Sequence, residues 1–189
     1  MWLMTIYIAL LRGVNVGGKN RIKMAELRRT LEELGLCQVQ TYIQSGNVLF
    51  QSEDEEETLR KRIEHAIEVA CGFPVTVVLR TAGELQRVAA NCPFSEQAVA
   101  AAEASSEGEC LYVAFLLAEP APEGVERLLT FQGESDEYRI DGREVYLMFS
   151  RGVRNSKLAS NLHQLRVPAT VRNWKTVNKL LALAQEMLV

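Results

Sequence analysis

Hydrophobic and polar positions alternate along the chain in a pattern that predicts two successive α+β layers. Thr5 to Leu11 (T-I-Y-I-A-L-L) is apolar on both faces, as in a central strand. Met24, Leu27, Leu31 and Leu34 recur at helical spacing, and Gly35 supplies a left-handed stop. Val39, Thr41 and Ile43 alternate with Gln38, Gln40 and Gln44, which predicts a half-exposed edge strand. Ser45-Gly46-Asn47 reads as a tight turn, with Val48 to Gln51 returning as the next strand. Ser52 and Glu55 have capping-box spacing ahead of a helix burying Leu59, Ile63, Ala66, Ile67 and Ala70, and Val75 to Leu79 follows as a fourth strand. This order, βαββαβ, is the ferredoxin-like unit.

The order then recurs. Leu111 to Leu117 predicts a buried strand and Glu123 to Phe131 a short helix. Glu137 to Ile140 and Glu144 to Phe149 predict a hairpin turning at Asp141-Gly142. Leu158, Leu162 and Leu165 predict a helix, and Ala169 to Val171 a last short strand. A final helix carries Trp174, Val177, Leu181, Ala184 and Leu188 on one stripe. The expected fold is α+β: two ferredoxin-like βαββαβ subdomains with antiparallel sheets, plus a C-terminal helix. The boundaries are 1–80 for the first subdomain, 81–109 for a helical connector, 110–172 for the second and 173–189 for the helix. This is a duplication of topology, without a convincing sequence repeat between the halves.

Composition changes the picture little. The 189 residues are 48% hydrophobic and 24% charged, an ordinary globular balance. The net charge of −3 argues against a protein dedicated to nucleic acid. That total hides segregation, however. Arg151, Arg154, Lys157, Arg166, Arg172, Lys175 and Lys179 fall in a stretch from Arg151 to Gln185 without a carboxylate. Arg12, Lys19, Arg21 and Lys23 fall in a smaller one. Cys37, Cys71, Cys92 and Cys110 are widely spaced and only His65 and His163 add imidazoles, so no zinc spacing and no disulfide framework is present. The thiols read as reduced in a cytoplasmic protein. No stretch reaches membrane-spanning length, and residues 1–11 lack the basic segment of a secretory signal.

Topology decides which polar residues can meet. In a sheet of order 4-1-3-2, the loop after strand one shares an edge with the hairpin between strands two and three. This gathers Arg12, Asn15, Gly17 and Gly18 beside Ser45 and Asn47, a corner suited to a small anion. In the second half the exits of strands three and four share an edge, so Arg151, Arg154, Ser156 and Lys157 should approach Arg172, Asn173 and Lys175. Asn173 is a good N-cap, yet Lys175 and Lys179 load the start of that helix with positive charge, unfavourable by about 0.3–1 kcal/mol per charge. A bound anion would relieve this. Trp174 could stack on a base, but its place on the apolar stripe favours core packing.

Catalytic motifs are weak. Gly13-x-x-x-x-Gly18-Lys19-Asn20 nearly matches a phosphate-binding loop, but Asn20 replaces the magnesium-binding hydroxyl and the expected sheet is antiparallel. Gln44-Ser45-Gly46-Asn47 is not a nucleophile elbow. His65 and His163 lie in helical segments, and no carboxylate pair is placed for acid–base work. These residues identify no reaction, no cofactor and no oligomeric state.

Four stretches carry a resemblance: residues 10–18 (LLRGVNVGG), 24–27 (MAEL), 41–48 (TYIQSGNV) and 169–176 (ATVRNWKT). Together they resemble the domain-of-unknown-function family numbered 1697, a group of uncharacterised, mainly bacterial proteins. The resemblance implies an α+β fold of two ferredoxin-like subdomains and no established activity. It does not demand a lysine at position 19, which weakens the phosphate-loop reading further. Its hallmark positions fall on Arg12, Gly13, Asn15, Gly17, Gly18, Ser45, Gly46, Asn47, Arg172, Asn173 and Trp174. The leading expectation is therefore a ligand-binding protein for a small anion such as a nucleotide or phosphorylated metabolite. In it Arg12, Lys157 and Arg172 neutralise charge, while Asn15, Gly17, Gly18, Ser45, Asn47 and Asn173 orient the ligand. A structural or interaction protein without a small-molecule ligand ranks nearly equal. A single-stranded nucleic-acid module ranks lower, because the strands lack the expected stacking aromatics.

Overall fold

The structure is a computed structural model that describes residues 4–133 and 135–189. The chain divides into two compact units, Met1–Arg87 with Lys179–Val189, and Val88–Asn178.

The first unit is a four-stranded antiparallel sheet of order β2-β3-β1-β4, with β1 Thr5–Leu11, β2 Cys37–Tyr42, β3 Asn47–Ser52 and β4 Val77–Thr81. The continuous apolar run of β1 makes it central, and it pairs with both β3 and β4. One face packs beneath helices α1 (Met24–Glu33) and α2 (Glu56–Cys71), with Tyr7, Ala9, Leu11, Val48 and Phe50 meeting Leu27, Leu31, Leu59, Ile63 and Ile67. The other face, bearing Ile6, Ile8, Leu10, Leu49, Val78 and Arg80, is buried as well.

The second unit repeats the arrangement in the order β6-β7-β5-β8. Its strands are β5 Leu111–Leu116, β6 Asp136–Asp141, β7 Glu144–Phe149 and β8 Ala169–Asn173. Helix α5 (Pro122–Leu129), the single turn α6 (Lys157–Ser160) and the 3-10 turn Leu162–Leu165 cover one face through Leu128, Leu158, Leu162 and Leu165. Helices α3 (Ala82–Ala90) and α4 (Glu96–Ala104) lie between β4 and β5 in the chain, and α7 (Trp174–Glu186) follows β8 directly.

Three local expectations are corrected. Ser52 stays in β3 paired with Thr5, so its hydroxyl accepts from the Asp54 N–H at 3.1 Å and no capping box forms. Helix α2 begins only at Glu56, without a side-chain cap. The hairpin after β2 turns through Ile43–Gly46, with Ile43 at φ 49°, and Asn47 is already a fully buried strand residue. The helix expected through Leu158, Leu162 and Leu165 is broken into two short turns and ends on left-handed Arg166.

Candidate functional site

The loop after β1 adopts its path because its sequence tolerates left-handed backbone. Gly13, Asn15, Gly17, Gly18 and Asn20 all have φ between 48° and 75°. A Cβ at Gly13 or Gly17 would meet nothing within 4 Å, so those glycines serve conformation and not space. The loop is tied to the β2–β3 hairpin as topology requires. Leu11 donates to the Gly46 carbonyl at 2.9 Å, and the Asn15 amide donates to the Gln44 carbonyl at 2.7 Å.

Beside this junction lies a cleft of about 500 Å³ lined by Asn15, Gly18, Arg21, Ile22, Lys23, Glu26 and Gln44. Helix α1 starts here, and no side chain caps its first turn. Arg12, Lys19 and Arg21 are exposed, with no carboxylate partner among the described residues. Lys23 reaches Glu26 only at 3.9 Å on the open surface. The corner is thus cationic, with free backbone donors at a helix N-terminus.

The structure brings together some of the sequence-derived residues and not others. Asn15 and Gly18 line the cleft, whereas Arg12, Gly17, Ser45 and Asn47 do not. Asn47 is fully buried and donates to the Tyr42 carbonyl at 3.0 Å and to the Ser45 hydroxyl at 2.8 Å, so it shapes the hairpin from within. Arg21, Lys23 and Gln44 join the site without having been named as ligand residues. The carboxylate-free opening segment signalled the two cations, and Gln44 carried no signal.

In the second unit the expected edge forms, since Tyr112 pairs with Asn173 on β8 and lines a cavity of about 350 Å³ with Arg151, Arg154 and Asn155. The cavity is not purely basic. Glu107 and Glu109 also line it, and Glu109 holds Lys175 at 2.6 Å. This pair answers the Lys175 share of the unfavourable charge at the start of α7 without a ligand, and it raises the Lys175 pKa through the hydrogen bond to Glu109. Residues 95–144 hold twelve carboxylates against three bases, and nothing in that run hinted that Glu109 would cross to the basic corner.

Lys157, Arg172 and Trp174 lie outside that cavity. Arg172 points to the face of β8 opposite Val171, is 8% exposed, and donates to the Thr170 hydroxyl at 2.7 Å and to the Val171 carbonyl at 3.0 Å. Burial lowers its pKa from the ordinary value to about 10. Asn173 is the N-cap expected of it, its Oδ1 accepting from the Thr176 N–H at 2.8 Å. Ser156 donates to Asp136 at 2.6 Å and caps α6. Trp174 packs beside Cys110, Leu111 and Met148. His65 and His163 are exposed. Among the described residues no group of His, Cys, Asp and Glu could hold a metal ion, and no helix is long and apolar enough to cross a membrane.

The fold is shared. The chain is similar to the solved structure of the conserved bacterial protein SP0830 from Streptococcus pneumoniae, at 28% identity and a TM-score of 0.70, over 96% of this chain and 99% of that one. No curated protein matches the chain. The family model for a protein of unknown function, DUF1697, matches residues 4–146, covering the Gly-rich loop, its hairpin and the cationic cleft, and ending before β8. The chain belongs to the DUF1697 family.

Proposed function

We propose that this protein binds a small anionic ligand, a nucleotide or phosphorylated metabolite, in the cleft between the Gly-rich loop and the start of α1. The observation that carries the reading is the convergence at one cleft of Arg21, Lys23, the left-handed backbone at Gly18 and the uncapped first turn of α1. Backbone N–H groups at a helix start and exposed cations, with Lys23 held only at 3.9 Å from Glu26, are complementary to phosphate oxygens. Asn15 contributes as the frame of the site and not as a ligand contact, because its amide is spent on the protein. The four cysteines are all free thiols, in keeping with a cytoplasmic setting.

The test is a thermal-shift series with pyrophosphate, nucleotides and sugar phosphates on the native chain and on Arg21→Ala/Lys23→Ala. Both substitutions are on exposed side chains, so the ligand-free melting temperature should hold. A stabilising anion whose effect disappears in the double variant supports the site. No shift with any anion, or an equal shift in the variant, overturns it.

A second reading has its own observation. Asn15, Asn47, Arg172 and Asn173, four of the hallmark positions, all hydrogen-bond within the protein. In that reading the hallmarks encode the fold, and the protein acts as a structural or interaction partner. Nucleic-acid binding across a sheet is disfavoured, since both faces of β1 and of β5 are buried.

A further inference from the structure

The second unit contains a larger cleft, of about 730 Å³, with chemistry opposite to that of the cationic corner. Its walls are the segment Cys92–Ser95, one face of α4 and the first turns of α7. Helix α4 has no buried residue, unusual for a helix in a compact unit, and it turns Glu96, Val99, Ala100 and Glu103 toward the cleft at positions i, i+3, i+4 and i+7. Across from them stand Phe94 and Trp174, half-buried against Cys110, Leu111 and Met148. The volume falls within the range of small-molecule sites, about 300–1,000 Å³.

The charged groups around this apolar floor are all carboxylates. Glu96 and Glu103 have no ion-pair partner among the described residues, although Glu103 is only half-exposed. Lys175, close enough to Glu103 to feel its charge, gives its ammonium to Glu109 at 2.6 Å. Asn178 donates one amide hydrogen to the Trp174 carbonyl at 2.9 Å and adds its Oδ1 as a neutral acceptor. No Lys or Arg lines the cleft. An anion would meet two carboxylates here. A neutral apolar molecule would leave them unused. A cation with an apolar body satisfies both parts of the wall, its nitrogen near the carboxylates and its body against Trp174, where a cation–π contact adds attraction.

We propose that this cleft is a binding site for an organic amine, an ammonium group on an alkyl or aryl body, held by Glu96, Glu103 and the faces of Phe94 and Trp174. The site is independent of the anion cleft, which lies in the other unit.

The test is isothermal titration with heptylamine, 1-heptanol and heptanoate. Trp174 fluorescence is followed in parallel in a Trp2→Phe background, so that the signal reports this cleft. Heptylamine should bind and perturb Trp174, heptanoate should not bind, and heptanol should bind at least tenfold more weakly. Glu96→Gln/Glu103→Gln changes only helix-surface charge, so it should retain the native melting curve and lose at least tenfold in amine affinity. Heptanol binding as tightly as the amine, amine binding unchanged in the Gln variant, or no binding by any of the three overturns the proposal.

Discussion

The side-chain amide of Asn15 donates to the Gln44 carbonyl at 2.7 Å and to the Ile22 carbonyl at 2.9 Å, while its Oδ1 accepts from the Ile22 N–H at 2.9 Å. One residue thus fastens the loop after β1 to the hairpin and to the start of α1, holding the cationic cleft in shape. Asn also tolerates the φ of 55° found there. Asn15→Ala removes all three bonds and puts a Cβ-bearing residue without local hydrogen bonds in left-handed backbone. Urea denaturation should show a loss of about 1–3 kcal/mol. Asn15→Gly relieves the backbone strain, so a loss that persists there isolates the bonds.

Two hallmark arginines should behave in opposite ways. Arg172 is buried and bonded to Thr170 and Val171, whereas Arg12 is exposed. Arg172→Ala should cost about 3 kcal/mol or more, because it empties a packed site and strips partners from buried polar groups. Arg12→Ala should stay within about 0.5 kcal/mol. Chemical denaturation of both variants without ligand checks the contrast, and similar losses would show that exposure is the wrong guide.

Glycine separates packing from conformation along the same corner. A Cβ on Gly46 would lie 2.6 Å from Val14 Cγ2 and 2.7 Å from Leu11 Cβ, at a φ of 79°. A Cβ on Gly17, at φ 58°, would touch nothing. Gly17→Ala should therefore cost about 1 kcal/mol of backbone strain, and Gly46→Ala about 2–4 kcal/mol once the clash is added. Melting temperatures of the two variants should differ accordingly.

The fold was legible because the pattern of apolar positions is local and regular. The apolar run of β1 announced a central strand and Asn173 announced a cap, and both stand where their chemistry required. Asp141-Gly142 announced a hairpin that forms one residue further on, with Asp141 still in β6 opposite Glu144 and the turn at Gly142-Arg143. The site was less legible for two physical reasons. Hydrogen-bonding residues such as Asn15, Asn47 and Arg172 have the same composition whether they face a ligand or their own backbone, and only burial distinguishes the two. Contacts between residues far apart in sequence, such as Glu109 with Lys175, obey no periodicity. Charge segregation along the chain therefore misstated charge segregation in space. The cleft of Phe94 and Trp174 had no signature either, since an aromatic on an apolar stripe reads as core.

Ser156 illustrates how a cap can do more than cap. Its hydroxyl accepts from the Ala159 N–H at 3.1 Å and donates to Asp136 at 2.6 Å, with Ser156 and Asp136 both buried. An ordinary N-cap is worth about 1 kcal/mol. Ser156→Ala also strips a donor from a buried carboxyl group, so the total should reach about 2–4 kcal/mol. Denaturation of Ser156→Ala beside Ser95→Ala, an exposed cap whose hydroxyl accepts from the Ala98 N–H at 3.1 Å, measures the difference directly.

Tyr146 should make the protein sensitive to alkali. Its ring is 1% exposed and its hydroxyl donates to the Val88 carbonyl at 2.7 Å. Burial, reinforced by Asp141 and Glu144, pushes its pKa well above the ordinary value of 10.0. Above pH 10 the unfolded chain releases this proton while the folded chain retains it. The folded state then binds more protons than the unfolded one, and stability falls as pH rises. The contribution is complete below pH 10 and shrinks by up to about 1.4 kcal/mol per pH unit above it. Tyr7 and Tyr112 are also raised by burial, so the native protein keeps some slope without Tyr146. The decisive quantity is the difference between the native chain and Tyr146→Phe. At pH 7 the variant should be less stable by about 1–2 kcal/mol, having lost the bond to Val88. Between pH 10 and 11.5 that deficit should narrow, because the variant has no proton to lose at this position. A deficit that stays constant across the range would mean that the Tyr146 hydroxyl ionises as readily in the folded protein as in the unfolded chain.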